Sequence, residues 1–212
     1  GGVEQTNKRW MLTWGKMPLN DRRLLVVEEL SGFPVEELGK LSDVRSTGIA
    51  EITKIRTERT HARVRMIFNS NARDGRPLSS QNYGIEAILK LFGKTEDVRR
   101  LDFAIVVASG EISRSVLNMR KSDFTQVKHV FTADICKKLV LWIWSRRPDQ
   151  ISFTEEAEQA ILLYSSEMGK KYSSKIPLVE PADQRIKLAR LSVAVAARLF
   201  STKTGEEVIV DK

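Results

Sequence analysis

Residues 24–29 are Leu-Leu-Val-Val-Glu-Glu, a short apolar run that ends in two adjacent carboxylates. The turn formers Ser31, Gly32 and Pro34 come next, so the run has the length and the boundary of a strand. Continuous apolar runs of this kind are typical of strands buried on both faces of a sheet. We therefore predict a buried central strand with Glu28 and Glu29 at its carboxyl end.

The segments that follow predict helices and strands in alternation. Residues 34–46 carry apolar side chains at helical spacing. Residues 49–65 alternate charged with apolar or Thr side chains, which predicts a hairpin that protrudes from the sheet, and the second arm continues into a strand at 64–68. A helix at 84–92 and a third buried strand at 101–108 complete the pattern. Such alternation predicts a mostly parallel sheet flanked by helices.

The chain beyond about residue 109 has a different character, because its apolar positions fall at helical spacing in long segments. Three helices are predicted, near 132–146, 153–170 and 182–200. The last has one apolar stripe, formed by Leu188, Leu191, Val195 and Leu199. An α/β part is therefore followed by an all-α part.

Composition excludes several classes of protein. No apolar run reaches the roughly 18–20 residues of a membrane helix, and the amino-terminal residues lack the pattern of a signal peptide. Cys136 is the single cysteine, which excludes a disulfide framework or a multi-cysteine zinc site within one chain. His61 and His129 are far apart, and we assign no metal-ligating histidine. We expect a cytoplasmic protein without membrane contact.

Positive charge is concentrated in parts of the chain. The formal net charge is +8, which by itself favours a polyanionic partner only weakly. Between Ile52 and Arg65 a single acid, Glu58, is set against five basic residues: Lys54, Arg56, Arg59, Arg63 and Arg65. The predicted hairpin is therefore strongly basic.

Adjacent carboxylates at a strand end suit nucleotide hydrolysis. One carboxylate can hold Mg²⁺, usually through water, while its neighbour polarises the attacking water. Glu28 and Glu29 fit those two roles. Paired acids after an apolar run are more often a solvated strand end, so the surrounding sequence has to decide between the two interpretations.

Four phrases in the first half of the chain and one near its end resemble the MCM family of AAA+ replicative helicases. They occur in the family's order and with similar spacing: W-G-K-M-P-L-N-D-R-R-L-L-V-V-E-E-L-S-G at 14–32, L-S-D-V-R-S-T-G-I-A-E-I-T-K-I at 41–55, R-M-I-F-N-S-N-A-R-D-G at 65–75, E-D-V-R-R-L-D-F at 96–103, and D-Q-R-I-K-L-A-R-L-S-V-A-V-A-A-R-L-F at 183–200. The resemblance implies a partial AAA+ α/β core at 1–110, a connecting segment at 111–130 and a helical lid subdomain at 131–212.

The resemblance also implies roles for residues of the first domain. Glu28 and Glu29 stand at the Walker B pair, although the family has Asp where Glu28 stands, and Glu28 would be the metal ligand. Asn71 matches the sensor 1 residue that orients the attacking water, whereas its plain interpretation is a turn-forming Asn. Arg100 matches the arginine finger that acts on a neighbouring subunit's nucleotide, with Arg99 as the adjacent alternative.

For the lid, the resemblance implies a second sensor arginine that contacts nucleotide. Arg185 is the candidate and Arg190 the second choice, while the strict register places Asp183 there. Lys54 and Arg56 stand in the family's pre-sensor hairpin, which contacts DNA. Phosphate contacts of this kind would bind single-stranded DNA without sequence specificity, and the plain alternative is a solvated charged hairpin.

The family's phosphate-binding loop, G-x-x-x-x-G-K-[ST], does not occur in the sequence. We therefore expect the chain alone to be inactive, and a complete protein to bind ATP and Mg²⁺ as a homo-oligomer, most simply a hexamer. The leading hypothesis is an ATP-driven ring motor on DNA. The alternatives are a protein-remodelling AAA+ ATPase of the chelatase or MoxR-like type and a non-hydrolysing scaffold subunit.

Overall fold

The chain forms two compact units, Gly1–Leu101 and Asp102–Lys212. The structure is a computed structural model that describes residues 2–6, 9–53, 57–80, 84–107, 132–171, 179 and 181–212. Both units contain helices and strands, so the protein is of the mixed α/β class. The predicted connecting segment at 111–130 lies outside the described residues.

Short strands and helices alternate along the first unit. In chain order they are β1 (Gly2–Thr6), β2 (Arg9–Thr13), α1 (Lys16–Leu19), β3 (Leu24–Glu28), a helical turn (Leu30–Gly32), α2 (Val35–Lys40), α3 (Ser42–Thr47), β4 (Ile49–Thr53), β5 (Thr57–His61), β6 (Arg65–Asn69), a second helical turn (Leu78–Ser80), α4 (Gly84–Phe92) and α5 (Thr95–Arg99). The β1–β2 hairpin and α5 were not predicted from the sequence.

Strands β3 and β6 pair in parallel, which confirms the predicted arrangement. Val27 lies opposite Phe68, and Glu28 lies opposite Asn69. The predicted burial of β3 on both faces is wrong, because Leu24 and Val26 are 41% and 51% exposed. Within the described residues the sheet has only these two strands, so one apolar face of β3 remains open to solvent.

The third strand predicted at 101–108 is also wrong for the residues that can be judged. Residues 101–107 form neither a strand nor a helix, and Phe103, Ile105 and Val107 are 68%, 76% and 55% exposed. A strand needs a neighbouring strand to satisfy its backbone N–H and C=O groups. No described strand pairs with this segment, so its apolar sequence is not enough to make it a strand.

The predicted hairpin is confirmed as β4 and β5, which pair antiparallel with Ile52 opposite Glu58. Two short helices, α2 and α3, replace the single helix predicted before it. Helix α3 ends at Gly48, whose left-handed φ of 67° turns the chain into β4. A Cβ atom there would lie 2.7 Å from Cγ of Arg63, so glycine is required for steric reasons as well.

The core of the first unit lies between the β3–β6 pair and its helices. Leu30, Leu38, Phe92 and Val98 are almost completely buried. The ring of Phe68 packs edge-to-face against Phe92, with centroids 5.8 Å apart. This packing fixes the strand ends relative to α4.

The second unit has three long helices and two short strands: α6 (Ala133–Ser145), a helical turn (Pro148–Gln150), β7 (Ile151–Phe153), α7 (Glu155–Lys171), α8 (Pro181–Arg198) and β8 (Val208–Val210). The three predicted helices are confirmed. The expectation of an all-α part is wrong, because β7 and β8 pair in parallel, with Ser152 opposite Ile209. Strands of three residues are too short to show an alternating pattern in the sequence.

The core of the second unit forms where α7 and α8 cover the two strands. Ala157, Ala196, Val208 and Val210 are buried there. Trp142 packs against this cluster, and its indole N–H donates to the carbonyl of Gly205 at 2.6 Å. Among the described helices, none combines the length and the apolar character needed to span a bilayer.

Candidate functional site

The candidate site is the edge of the first unit at which β3 and β6 end. Because the strands are parallel, their carboxyl ends meet at this edge, and Glu28 lies opposite Asn69. Glu29 follows with a left-handed φ of 54°, and Asn71 follows β6 by two residues. The side chains of Glu28, Glu29 and Asn71 are all exposed. We call this group of residues the carboxylate edge.

The loops that leave the two strands are tied together. The backbone N–H of Ser31 donates to Oγ of Ser70 at 2.7 Å. Beyond that contact, the guanidinium group of Arg73 donates to the carbonyl oxygens of Leu30 at 2.9 Å and Ser31 at 3.0 Å. It also donates to the carbonyls of Phe33 and Leu91. One arginine therefore joins the loop after β3, the loop after β6 and the end of α4.

No signal in the sequence identifies Arg73 as this anchor. It lies among turn-forming residues, where an arginine is ordinarily a solvated side chain. Its partners are 18 to 43 positions away in the sequence, so pairing them required the fold. The role of Arg73 is to position the carboxylate edge, since its bonds are all to backbone carbonyls.

The backbone of Glu29 is unusual for its residue type. A non-glycine residue with positive φ carries a conformational cost. The helical turn Leu30–Gly32 and the burial of Leu30 fix the course of the chain on the carboxyl side of Glu29. The strained backbone conformation therefore lies at the second carboxylate of the pair.

The donor set of the carboxylate edge fits a nucleotide-bound Mg²⁺. The side-chain carboxylates of Glu28 and Glu29 form no ion pair or hydrogen bond with another described residue, so both are open to a cation. The described residues contain no group of three or more His, Cys, Asp or Glu side chains that could hold a metal ion. Mg²⁺ is usually bound by one or two carboxylates together with phosphate oxygens and water, so two carboxylates suffice when a nucleotide supplies the rest.

A cavity of about 680 Å³ borders this edge within the first unit. Glu28 lines it together with Lys16, Lys40 and a larger apolar set that includes Trp14 and Phe33. There is consequently open volume beside the carboxylate of Glu28.

Arg100, the candidate arginine finger, is held by its own unit. Its Nε donates to Oγ of Ser46 on α3 at 2.7 Å, and its Nη1 donates to the carbonyl of Glu96 at 2.9 Å. Its described contacts are therefore with α3 and α5, and they do not include the carboxylate edge.

The two arginines that the resemblance assigns to a lid, Arg185 and Arg190, lie on α8 of the second unit. Arg185 is exposed. Arg190 forms an ion pair with Asp102 at 2.9 Å, with both side chains well exposed. An exposed pair of this kind contributes little to stability, so Arg190 can exchange this partner for another anion.

The candidate DNA contacts Lys54 and Arg56 lie outside the described residues. The arms beside them are described: Nε of Arg59 on β5 donates to Glu51 on β4 at 2.5 Å. That bond neutralises one of the five basic residues of the segment.

Comparisons of the sequence with models of known protein families and with curated proteins found no match.

Proposed function

We propose that this chain is the rear part of an MCM-like AAA+ ATPase module, from the Walker B strand through the lid, in a cytoplasmic ring motor that translocates on or unwinds DNA. The supporting observation is the carboxylate edge. Two parallel strands end there side by side, one in Glu28 and Glu29 and the other in the loop of Asn71. Ligand sites of parallel α/β sheets lie at the carboxyl ends of the strands.

The residues of the edge have separate roles in this proposal. Mg²⁺ bound with ATP would neutralise charge on the phosphates, and Glu28 would hold it, through water. Glu29 polarises the attacking water and Asn71 orients it. Glu28 is one methylene longer than the Asp expected at its position, so the metal site has to accommodate that extra length.

Hydrolysis in a ring also needs positive charge from outside the edge. Arg100 would reach the nucleotide of an adjacent subunit and stabilise the charge on the transferred phosphoryl group. Because Arg100 donates to Ser46, this requires that bond to be exchanged for one to phosphate. Arg185 or Arg190 would contact nucleotide from the lid. Sites shared in this way imply a homo-oligomer, and we propose a hexamer.

DNA is proposed as the substrate because of the β4–β5 hairpin. In the sequence, Lys54 and Arg56 come between β4 and β5, and they would contact the phosphates of single-stranded DNA without sequence specificity. A remodelling ATPase of the chelatase or MoxR-like type would use the same carboxylate edge but not these contacts.

The test is ATP turnover by a protein that joins this chain to a phosphate-binding loop, measured with and without single-stranded DNA. The proposal predicts turnover that DNA stimulates, and loss of the stimulation in Lys54→Ala/Arg56→Ala. Turnover that DNA does not change would contradict the DNA motor and favour the remodelling ATPase. No turnover at all would favour a scaffold subunit.

A further inference from the structure

Four arginines meet at the edge of the first unit opposite the carboxylate edge. Arg22 and Arg23 precede β3, while Arg63 and Arg65 lie at the start of β6. Parallel pairing brings the amino ends of these strands together, with Leu24 opposite Arg65. We call these four residues the arginine cluster.

Backbone hydrogen bonds hold the cluster in place. The N–H of Arg22 donates to the carbonyl of Arg63 at 2.8 Å, and the N–H of Arg65 donates to the carbonyl of Arg23 at 2.9 Å. Nη1 of Arg65 also donates to the carbonyl of Arg22 at 2.5 Å. Arg22 has a left-handed φ of 62°, a strained conformation for a residue with a Cβ. The backbone therefore holds the four arginines close together, and their proximity does not depend on the conformations of flexible side chains.

The positive charge of the cluster is only partly neutralised. Asp21 accepts two bonds from the guanidinium group of Arg63, at 3.1 Å from Nε and 2.7 Å from Nη2, and a third from the backbone N–H of Arg63 at 2.7 Å. The side chains of Arg22 and Arg23 are exposed and donate no hydrogen bond within the described part of the chain. Burial and the positive charge of Arg22 lower the pKa of Arg65. The cluster therefore holds like charges side by side, and a bound anion would reduce the repulsion between them.

We propose that the arginine cluster binds the phosphodiester backbone of single-stranded DNA, as a second contact at the base of the β4–β5 hairpin. Naming DNA as the ligand rests on the proposed function.

Guanidinium groups bind phosphate oxygens in a planar, two-bond geometry, and the position of the cluster favours a nucleic acid over an acidic protein. Strand β5 leads into the cluster, since Arg63 follows His61 by two residues. A strand of DNA on the basic hairpin would therefore reach the cluster at the hairpin's base.

The experiment is binding of a fluorescein-labelled oligothymidylate to the chain without nucleotide, followed by fluorescence anisotropy over a series of salt concentrations. Each phosphate contact to single-stranded DNA contributes about 0.7 to the slope of log affinity against log salt. Arg22→Ala/Arg23→Ala should therefore lower the slope by about 1.4 and weaken binding at every salt concentration. Lys137→Ala/Lys170→Ala, which removes the same charge from the second unit, should leave the slope unchanged.

A third variant should change affinity in the opposite direction. Asp21→Asn releases the guanidinium group of Arg63 and should tighten binding and steepen the salt slope. Circular dichroism spectra that match wild type would exclude misfolding as the cause of either effect. Tightening is a result that misfolding does not produce.

Several results would overturn the inference. An unchanged slope in Arg22→Ala/Arg23→Ala, with binding lost in Lys54→Ala/Arg56→Ala, would contradict the cluster while leaving the proposed function intact. Equal competition by polyglutamate, at matched charge concentration, would contradict a phosphate site in favour of an acidic protein partner. Absence of any DNA binding by wild type would contradict both the cluster and a DNA substrate.

Discussion

The guanidinium group of Arg45 is hydrogen-bonded to the carboxylate of Asp97, and the two side chains are only 7% and 3% exposed. Arg45 lies on α3 and Asp97 on α5, 52 positions later in the sequence. The same guanidinium lies over the ring of Phe92, with its carbon 5.8 Å from the centroid. The pair joins α3, the helix that precedes the β4–β5 hairpin, to α5, the helix that precedes Arg100.

Replacing one member of this pair should destabilise the first unit strongly. Asp97→Asn leaves a buried cation without its counter-charge, and we expect the free energy of unfolding to fall by about 3–5 kcal/mol. Urea unfolding measures this. Glu37→Gln, which breaks the exposed pair with Lys40, should leave the urea midpoint nearly unchanged. A small effect of Asp97→Asn would mean that the pair is not buried as described.

Arg63 makes the stability of the chain depend on acidity through Asp21. Its hydrogen bond lowers the pKa of Asp21 from the ordinary 3.8 to about 2. A carboxyl with a lowered pKa stabilises the folded state fully above its unfolded pKa and loses that contribution as the pH falls through its folded pKa. The stability advantage of wild type over Asp21→Asn should therefore be constant above 3.8 and shrink between 3.8 and about 2.

Urea unfolding of both proteins over this pH range provides the measurement. Glu207, whose pKa the bond from Thr204 also lowers to about 2, is present in both proteins and cancels in the difference. A difference that did not vary with pH would show that Asp21 acts through shape and not through charge.

Arg73 should be needed for the arrangement of the carboxylate edge. Arg73→Ala leaves the carbonyls of Leu30, Ser31, Phe33 and Leu91 without their donor. Hydrogen bonds to a charged group contribute about 1.5–3 kcal/mol each and are not additive, so we expect a loss of at least that size. Arg73→Lys should recover only part of it, because an ammonium group cannot reproduce the planar fork.

Hydrogen exchange locates the effect of Arg73. Faster exchange at residues 30–33 in Arg73→Ala, with unchanged exchange in α7, is the expected pattern. Hydrogen exchange that is faster in Arg73→Ala by a similar factor throughout both units would contradict a local role.

The strain at Glu29 predicts a conflict between stability and activity. Its φ of 54° suits glycine, so Glu29→Gly should be about 1 kcal/mol more stable than Glu29→Ala. Both variants lose the carboxylate, and both should lose ATP turnover when the chain is joined to a phosphate-binding loop. Urea unfolding of the two gives the comparison, and equal stability would argue against a strained backbone. Leu199→Ala, an exposed position, controls for the loss of a side chain.

Local patterns explain how much of the fold was predictable. The β3 strand, the β4–β5 hairpin, α4 and the three long helices are confirmed, because each has a period or a turn signal within its own sequence. Burial was less predictable. Val195 and Leu199 belong to the apolar stripe of the last helix but are 55% and 73% exposed, whereas Gln184 and Lys187 are 5% and 6% exposed. Small residues such as Ala196 and Ala197 allow close packing. The apolar stripe therefore does not show which face of the helix will be buried.

Some residues of the candidate site could likewise be predicted from the sequence, and others could not. Glu28, Glu29 and Asn71 could be named from the sequence because they follow strands, and the parallel pairing gives them one edge. Arg73, Arg45 and Asp97 could not, since their partners are remote in the sequence. The segment 101–107 shows the converse, because an apolar run becomes a strand only where a neighbouring strand pairs with it.

The most direct test of the carboxylate edge is ATP hydrolysis by a protein that joins this chain to a phosphate-binding loop, compared between wild type and Glu29→Gln. Glutamine keeps the shape of Glu29 but cannot polarise water as a carboxylate does. The account predicts DNA-stimulated turnover in wild type and turnover reduced to background in Glu29→Gln. Turnover that survives in Glu29→Gln would contradict the assignment of the Walker B carboxylates and the function built on it.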